Sequence, residues 1–382
     1  MHVAFSVLTL VPGQIGGTET YVRGLVRAYG ELAAPRVTVL APEAAAASLE
    51  GAGPVEIVPV GLRIGASPPA RLAGLAHGLL APPRSAVRAA ATADVLHLPL
   101  TVPIPRAPVP TVVTLHDVLH LDVPGAVGRA ERAYRRVAYD RAARRADLVV
   151  TVSEHARERI VARLGIAPER VVAIPHGIDH ERFRPDGDDS PLAGLALPDG
   201  PFVLYPANLW PHKNHARLLD ALARVPGVSL VLTGAAYGRL GPLQDRARAL
   251  GVADRVRHLG YVPAAALAPL YRRATAVVFP SLYEGFGSPV VEAMACGCPV
   301  AASDRGAVAE AAGGAALGFA PEDAAAIAAA MTRVCGDDAE RARLREAGLR
   351  RASGLTWRAS AERHVAAYAA ASSSSASTAS RP

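Results

Sequence analysis

The chain has 382 residues, is 51% hydrophobic and carries a formal net charge of +7. This length suffices for two domains of ordinary size, and no apolar run reaches the roughly 18 residues that a membrane-spanning helix needs. The start, MHVAFSVLTLVPG, has the pattern of a core strand and not of a secretory leader. Three cysteines, an odd number, argue against a disulfide framework. We therefore expect a cytoplasmic protein with reduced thiols and a basic surface that suits anionic partners.

Short apolar runs alternate with helical segments through the first half of the chain. Ala/Leu-rich helical stretches and Pro-rich loops separate these runs, and such alternation predicts a parallel sheet with covering helices. The sequence therefore indicates an α/β protein. The runs typical of buried strands lie at 3–11, 37–40, 57–60, 95–98 and 111–115.

Two loops that follow strands in this half carry candidate chemistry. Gly16 and Gly17 precede a predicted helix, and free amides at a helix start can hold an anion, although the same pattern is also typical of a tight turn. His116 and Asp117 follow the strand that ends at Leu115, and open α/β sheets bind ligands at the carboxyl ends of their strands. The alternative for His116 is a hydrogen-bonded structural histidine.

An arginine-rich helix is predicted from Arg129 to Arg145. One face of this helix could rest on anionic lipid headgroups, and the alternative is an ordinary solvated basic face. The next strand ends at Ser153, which is placed to cap the helix after it. From Arg184 to Gly200 the chain is rich in Pro, Gly and Asp and has no periodicity, so we predict an interdomain linker there.

The second half of the chain repeats the pattern and contains the only lysine. A strand at 202–205 leads into a loop with Asn208 and Lys213, and a helix follows from Ala216. A cation just before a helix N-terminus can close on a phosphate that backbone N–H groups hold. The other 40 basic residues of the 41 are arginine, so a single retained lysine is more readily explained as a site residue.

The most informative stretch runs from Val277 to Asp304, VVFPSLYEGFGSPVVEAMACGCPVAASD. It predicts a strand, a glycine-bracketed turn, a helix and a second strand. We expect Ser288 to be the N-cap, Pro289 the first helical residue and Gly297 the end of the helix. A helix N-terminus reached through a Gly-rich turn is an anion site, because free N–H groups and the helix dipole point at the ligand.

Two carboxylates frame this turn, with seven residues between them. Glu284 lies in the turn and Glu292 lies in the helix, so carboxylates could accept sugar hydroxyls while amides hold phosphates. The glutamate pair around G-F-G, followed by E-A-M-A-x-G-x-P-V, resembles the signature of the retaining glycosyltransferases of family four. In its S-x-x-G-x-x-x-E pattern the chain also resembles this family, with Glu310 in the last place.

The resemblance covers almost the whole chain and implies the GT-B fold, in which two Rossmann-like domains with parallel sheets face each other across a cleft. A C-terminal helix then crosses back to the N-terminal domain. We predict an acceptor domain at 1–183 together with a helix at 356–371, a linker at 184–200, a nucleotide-sugar-binding domain at 201–352 and a disordered tail at 372–382.

The resemblance also implies roles for individual residues. Glu292 would hold the ribose hydroxyls, Glu284 the transferred sugar, Lys213 the departing diphosphate, and His116 the donor sugar at the reaction site. This makes His116, Glu284 and Lys213 the candidate catalytic residues. The other candidate donor-binding residues are Gly16, Gly17, Asn208, Gly260, Tyr261, Gly285, Phe286, Gly287, Ser288 and Val290. The candidate acceptor-binding residues are His116, Asp117 and His120.

One position departs from the family's pattern. The family usually has an arginine and a lysine in the donor loop; Lys213 matches, but Asn208 stands where the arginine is expected. Asparagine can donate hydrogen bonds but adds no charge to a phosphate clamp. The sequence P-H-K-N-H around Lys213 resembles a subgroup that often uses GDP-mannose.

These features predict a retaining, metal-independent hexosyltransferase without a cofactor, because no Asp-x-Asp motif occurs in a donor loop. GDP-mannose is the favoured donor and a UDP-sugar the second; the acceptor is a saccharide, a lipid-linked molecule or a small molecule. We expect a cytoplasmic enzyme, with peripheral contact at the inner face of the membrane as a further expectation. The alternatives are another GT-B enzyme, such as an epimerase or phosphorylase, and a non-catalytic sugar-nucleotide-binding protein. No motif supports nucleic-acid binding.

Overall fold

The computed structural model describes residues 1–13, 16–49, 55–64 and 68–379, without the side chains of 68–72 and 374–379. The chain divides into two compact units. The first consists of Met1–Leu121, Val127–Gly177 and Thr356–Pro382, and the second of Asp122–Ala126 and Ile178–Leu355. No helix within the described ranges is both long and apolar enough to cross a membrane.

The first unit is built on a seven-stranded parallel sheet with the strand order β3-β2-β1-β4-β5-β6-β7. The order reverses between β1 and β4, which makes their carboxyl ends the place where such a sheet binds ligands. The strands are β1 His2–Ser6, β2 Arg36–Pro42, β3 Glu56–Val60, β4 Val95–Leu98, β5 Thr111–Thr114, β6 Leu148–Thr151 and β7 Val171–Ala173.

Helices cover both faces of this sheet, so its central strands are buried and mostly apolar, whereas the edge strand β3 is only partly buried. One face packs against α1 and the C-terminal helix, and the other packs against α4, α7 and α8. The helices are α1 Gly17–Glu31, α2 Glu43–Ala46, α3 Pro68–Leu80, α4 Arg84–Ala91, α5 Leu119–Asp122, α6 Arg129–Arg135, α7 Arg141–Arg145, α8 Glu154–Leu164 and the C-terminal helix Trp357–Ala379.

The C-terminal helix belongs to the first unit and packs on α1. Trp357 lies so close to Gly24 and Gly177 that a Cβ on Gly24 would lie 2.2 Å from its ring, and a Cβ on Gly177 would lie 2.1 Å from its backbone nitrogen. Both positions therefore require glycine. The helix also continues further than expected: the predicted disordered tail is replaced by helix over residues 372–379, and residues 380–382 lie outside the described part. Alanine favours helix, and Ser373 Oγ donates to the Ala369 carbonyl one turn back.

The second unit has a six-stranded parallel sheet with the strand order β10-β9-β8-β11-β12-β13. Its order reverses between β8 and β11. The strands are β8 Phe202–Pro206, β9 Ser229–Thr233, β10 Val256–His258, β11 Ala276–Phe279, β12 Val300–Ser303 and β13 Leu317–Phe319. The helices are α9 His215–Leu222, α10 Leu240–Ala249, α11 Ala264–Arg273, α12 Ser288–Ala295, α13 Gly306–Ala312, α14 Ala324–Gly336 and α15 Asp338–Ser353.

The unit boundaries differ from the predicted domain limits. They fall after Gly177 and after Leu355, and the predicted linker at 184–200 groups with the second unit. The reason is a specific attachment: the Arg272 side chain on α11 donates to Asp189 Oδ1 at 2.7 Å and to the Asp188 carbonyl at 2.9 Å. The Pro, Gly and Asp content of residues 184–200 correctly indicated an irregular segment. This segment packs onto the second unit.

Three details of the predicted helices can be compared with the structure. Ser153 caps α8 as expected, because its Oγ accepts the Ala156 N–H at 3.0 Å. Ser288 is not an N-cap: it is the first residue of α12, and Gly287 precedes the helix with a left-handed φ of 100° that glycine tolerates. The arginine-rich helix runs from Arg129 to Arg145 as expected, and its middle part, Arg136–Asp140, is a π-helix between α6 and α7.

Candidate active site

The second unit brings its single lysine and the glutamate turn together at one edge of the sheet. Lys213 follows β8 and Glu284 follows β11, and these two strands are paired where the strand order reverses. Lys213 Nζ lies 2.5 Å from Glu284 Oε1, and their side chains are only 17% and 12% exposed. The ammonium uses one of its three donors in this bond. The pair is therefore a pre-formed, partly desolvated charge arrangement at the ligand-binding edge of the sheet.

Backbone and amide hydrogen bonds fix the loop that carries Lys213. Tyr205 on β8 donates its hydroxyl proton to the Lys213 carbonyl at 2.7 Å. Asn214 has a left-handed φ of 64°, and its Nδ2 donates to the carbonyls of Pro280 and Pro321 at 3.1 and 2.7 Å. The backbone of this loop is therefore held by neutral hydrogen bonds that do not depend on the charge of Lys213.

Glu292 is the fifth residue of α12 and is held by a tyrosine from α11. Tyr271 donates its hydroxyl proton to Glu292 Oε2 at 3.0 Å. Burial raises the pKa of the Glu292 carboxyl, and this hydrogen bond and the nearby charge of Arg182 act in the opposite direction. Nothing in the sequence links these three residues, which α11 and the segment after Ile178 bring together only in the folded unit.

Asn208, which replaces the expected arginine, braces a neighbouring loop. Its Oδ1 accepts the N–H of Ala235 at 2.7 Å. Gly234 beside it has a φ of 112°, and a Cβ there would lie 2.8 Å from the backbone of Ala207 and Asn208. The Gly234 N–H in turn donates to the Gly260 carbonyl at 2.7 Å. Asn208 thus joins the loops after β8 and β9, and Gly234 joins the loops after β9 and β10. An arginine at 208 could not accept the Ala235 N–H, because its side chain has no acceptor atom.

The remaining donor-loop residues of the second unit have mixed environments. Phe286 and Val290 are buried, and the Val290 N–H donates to the Gly287 carbonyl at 3.0 Å. Tyr261 is 80% exposed. The loops after β8 and β9 also contribute an aromatic pair that the sequence analysis did not identify. The rings of Trp210 and Tyr237 stack with centroids 4.3 Å apart.

In the first unit, Gly16 and Gly17 lie at the start of α1. Gly16 precedes the helix with a φ of 51°, and its carbonyl accepts the N–H of Glu19 at 3.0 Å. A Cβ on either glycine would meet no atom of the described residues within 4 Å, apart from the glycine's own chain neighbours. Packing against those residues therefore does not explain why either position is glycine.

His116 lies partly buried after the carboxyl end of β5, among aromatic rings. Its ring meets that of Tyr21 edge-on at 5.0 Å and that of His176 at 5.8 Å. Burial lowers the pKa of His116 to about 4, and the charge of Asp117 and a backbone hydrogen bond at Pro99 only partly offset it. His116 is therefore neutral near pH 7, and its Nε2 has no hydrogen-bond partner among the residues that the structure describes.

The two other predicted acceptor residues are engaged in local structure. His120 is fully buried, and its Nε2 lies 2.9 Å from Asp140 Oδ1. Asp117 Oδ1 accepts the N–H of Leu119 at 2.9 Å. The structure therefore favours structural roles for both side chains. In the described ranges, no group of three or more His, Cys, Asp or Glu side chains is arranged to hold a metal ion.

Two family models together match most of the chain. The family model described as Glycosyltransferase Family 4 matches residues 15–182, and the model described as Glycosyl transferases group 1 matches residues 193–351. D-inositol 3-phosphate glycosyltransferase 1 of Catenulispora acidiphila is 33% identical over 282 residues, which are 69% of this chain and 67% of that protein. O-antigen chain mannosyltransferase B of Escherichia coli is 30% identical over 267 residues, 67% of this chain and 69% of that protein.

Solved structures agree with the fold. The crystal structure of Anabaena Alr3699/HepE in complex with UDP and glucose has a TM-score of 0.72 and 22% sequence identity, covering 97% of this chain and 100% of that one. The predicted α/β GT-B fold class is confirmed by the two parallel sheets and by this likeness. The chain belongs to the group 1 glycosyltransferases of family four, and it is a hexosyltransferase that uses a nucleotide-sugar donor.

Proposed function

We propose that this enzyme is a retaining, metal-independent transferase, with GDP-mannose as the favoured donor and UDP-sugars as the second choice. The ion pair of Lys213 and Glu284 at 2.5 Å carries the proposal, because it joins a cation for phosphate and a carboxylate for sugar hydroxyls at one strand edge. The mannosyltransferase among the relatives supports the first donor, and the UDP-bound structure supports the second.

The reaction needs a bond from the acceptor oxygen to the anomeric carbon and loss of the diphosphate from that carbon. Lys213 stabilises the negative charge that develops on the departing diphosphate, together with the amides at the start of α12. The departing phosphate oxygen takes the acceptor's proton, so no protein nucleophile is required and the configuration is retained. Glu284 accepts hydroxyls of the transferred sugar.

His116 supplies a neutral nitrogen in this scheme. Its Nε2 is buried and has no partner among the described residues, and burial holds the pKa of the ring at about 4. A neutral imidazole can bond a sugar hydroxyl without placing a positive charge near an oxocarbenium-like sugar. We propose that His116 contacts the sugar in this way. The acceptor is a saccharide, a lipid-linked molecule or a small molecule; the names of the relatives include an inositol phosphate and an O-antigen chain.

A panel of GDP- and UDP-sugars tests the proposal. The purified protein should release nucleotide from one donor, with unchanged rate in EDTA and with the anomeric configuration retained by NMR of the product. Glu284→Gln should lower this rate at least tenfold. The neutral amide has one acceptor oxygen, whereas the carboxylate has two charged oxygens that accept hydroxyl hydrogen bonds more strongly. The exposed Glu346→Gln is the matched control and should keep the full rate. Tight donor binding without turnover on any acceptor would instead favour a sugar-nucleotide-binding protein.

We also propose peripheral contact with an anionic membrane through the arginine-rich segment of the first unit. An open cavity of about 470 Å³ there is lined by Arg136, Val137, Arg141, Arg144 and Arg145. Val137 is apolar yet 64% exposed. The two carboxylates of this segment are already engaged, Glu131 with Arg135 and Asp140 with His120. The lining arginines therefore have no carboxylate of their own segment to neutralise them, as a surface for lipid phosphates requires.

Vesicle sedimentation tests this contact. The protein should bind phosphatidylcholine vesicles that contain phosphatidylglycerol and not vesicles of phosphatidylcholine alone. Arg141→Gln with Arg144→Gln should weaken binding roughly tenfold or more, since each arginine near an anionic surface contributes about 1 kcal/mol. Arg248→Gln with Arg257→Gln removes the same charge from exposed positions of the second unit and should leave binding unchanged. Equal binding to both vesicle types would contradict the proposal.

A further inference from the structure

Tyr271 is placed to act on the candidate ribose-binding carboxylate. It is fully buried on α11, and its ring meets the ring of Phe183 edge-on at 6.0 Å. Its hydroxyl donates to Glu292 Oε2 at 3.0 Å. Because the ring is buried on all sides, the hydroxyl is a fixed donor.

This bond leaves the second oxygen of Glu292 available. The hydrogen bond from Tyr271 reaches Oε2 and not Oε1. The terminal torsion of a glutamate is intrinsically broad, so an unheld carboxylate would sample many orientations. A fixed donor on Oε2 selects one orientation before any ligand arrives, which reduces the entropy cost of binding.

Arg182 packs against the same region of α11. Its guanidinium lies over the Phe183 ring at 4.6 Å, and one of its nitrogens donates to the Ala264 carbonyl at the start of α11 at 2.5 Å. The charge of Arg182 favours the ionised form of Glu292, against the effect of burial. An ionised carboxylate accepts hydrogen bonds more strongly than a neutral acid.

We propose that Tyr271 is a positioning residue for nucleotide recognition: its hydroxyl fixes Oε2 of Glu292, so that the carboxylate presents Oε1 to the vicinal hydroxyls of the donor's ribose. This inference rests on the proposed donor-binding role of Glu292. In it, Tyr271 acts on the donor only through Glu292. Its signature is therefore a change in ribose discrimination and not a general loss of activity.

Calorimetric titration with GDP and 2′-deoxy-GDP, and with the corresponding uridine pair, measures this discrimination. The wild-type enzyme should bind the ribonucleotide about tenfold more tightly, since a hydrogen bond to a charged group is worth about 1.5–3 kcal/mol. Tyr271→Phe removes one oxygen atom and keeps the ring. It should reduce the preference to about threefold or less by weakening the ribonucleotide, with the deoxynucleotide almost unchanged.

Tyr205→Phe is the matched control. Tyr205 is equally buried in the same unit, and its hydroxyl donates to the Lys213 carbonyl and not to Glu292. This variant should lower thermal stability comparably while the ratio of the two affinities stays at the wild-type value. Equal changes of the ratio in both tyrosine variants would show a merely structural effect and overturn the inference.

Glu292→Gln separates the inference from the proposed function. If Glu292→Gln abolishes the ribose preference and Tyr271→Phe keeps it, the positioning role is wrong and the donor-binding role of Glu292 stands. If the wild-type enzyme and Glu292→Gln both bind the two nucleotides equally, the proposed role of Glu292 itself fails, and the positioning role fails with it. A shift in Tyr271→Phe midway between wild type and Glu292→Gln supports both.

Discussion

Lys213→Ala should lower the rate of sugar transfer by about 10²–10³-fold, the range seen when one pre-organised donor to a developing anion is removed. Lys213 is the only lysine in the chain, and it lies beside Glu284 in a partly desolvated site where its charge is poorly replaced by water. Charge on the diphosphate increases as the bond to the sugar breaks, so the loss should fall mainly on kcat. Steady-state kinetics with the best donor of the panel measure the effect.

Folding and chemistry must be separated in this variant. Removal of Lys213 leaves the Glu284 carboxylate, only 12% exposed, without its counter-charge, and this destabilises the loop. Lys213→Ala combined with Glu284→Gln should recover thermal stability but not activity. Arg217→Ala, in the first turn of α9, removes another cation close in the chain and should change kcat less than about threefold, because the Arg217 side chain is engaged with the Glu322 carbonyl and not with Glu284. A Lys213→Ala enzyme with more than a tenth of the wild-type kcat would contradict the assignment.

The first unit should lose stability steeply as the pH falls from about 6.5 to 4. Burial lowers the pKa of His116 and His364 to about 4, and it holds the pKa values of His97 and His176 well below the usual range. The unfolded chain binds protons at these sites near pH 6.5, and the folded unit does so only near pH 4. The contribution of these neutral histidines to the free energy of unfolding is therefore fully present above pH 6.5. It is lost as the pH falls towards 4, by roughly 3 kcal/mol for a histidine whose pKa is lowered by about 2.5 on folding.

Two of these histidines, His364 and His97, take part in hydrogen bonds that hold the C-terminal helix in place. His364 Nε2 and Thr114 Oγ1 each lie 2.8 Å from the Tyr21 hydroxyl, and His97 Nδ1 lies 2.7 Å from the Tyr368 hydroxyl. Protonation would place charges inside this network, where no carboxylate is among its hydrogen-bonding members. The helix should therefore come loose with the rest of the first unit on acidification.

Scanning calorimetry between pH 4 and 7.5 checks this expectation. His364→Gln should lower stability at pH 7.5, where it loses the bond to Tyr21, but it should flatten the dependence on pH because one titrating group is gone. His77→Gln, at an exposed position, should leave both unchanged. A melting temperature of the first unit that stays constant from pH 7 to pH 4.5 would refute the argument.

The local physics of the sequence determined much of this protein. Apolar runs between helical segments indicated two parallel sheets, and the structure contains them, since buried strands must be apolar on both faces. The motif from Val277 to Asp304 and the loop of Lys213 indicated the family. A glycine turn that leads into a helix start forms an anion site, and this site depends on a few residues close together in the sequence. The donor, the acceptor and the residue roles remain predictions.

Only the tertiary structure decided how the candidate site is supported. Asn208 was expected to be a weak substitute for a cation, yet its oxygen is engaged with Ala235, and His120 is buried against Asp140. Tyr271 lies 21 residues from Glu292 in the chain. Such contacts join elements that are distant in sequence and follow no periodicity, so no local pattern encodes them. The sequence by itself determined the family and the fold class, whereas packing decided which neighbours hold the candidate site residues in place.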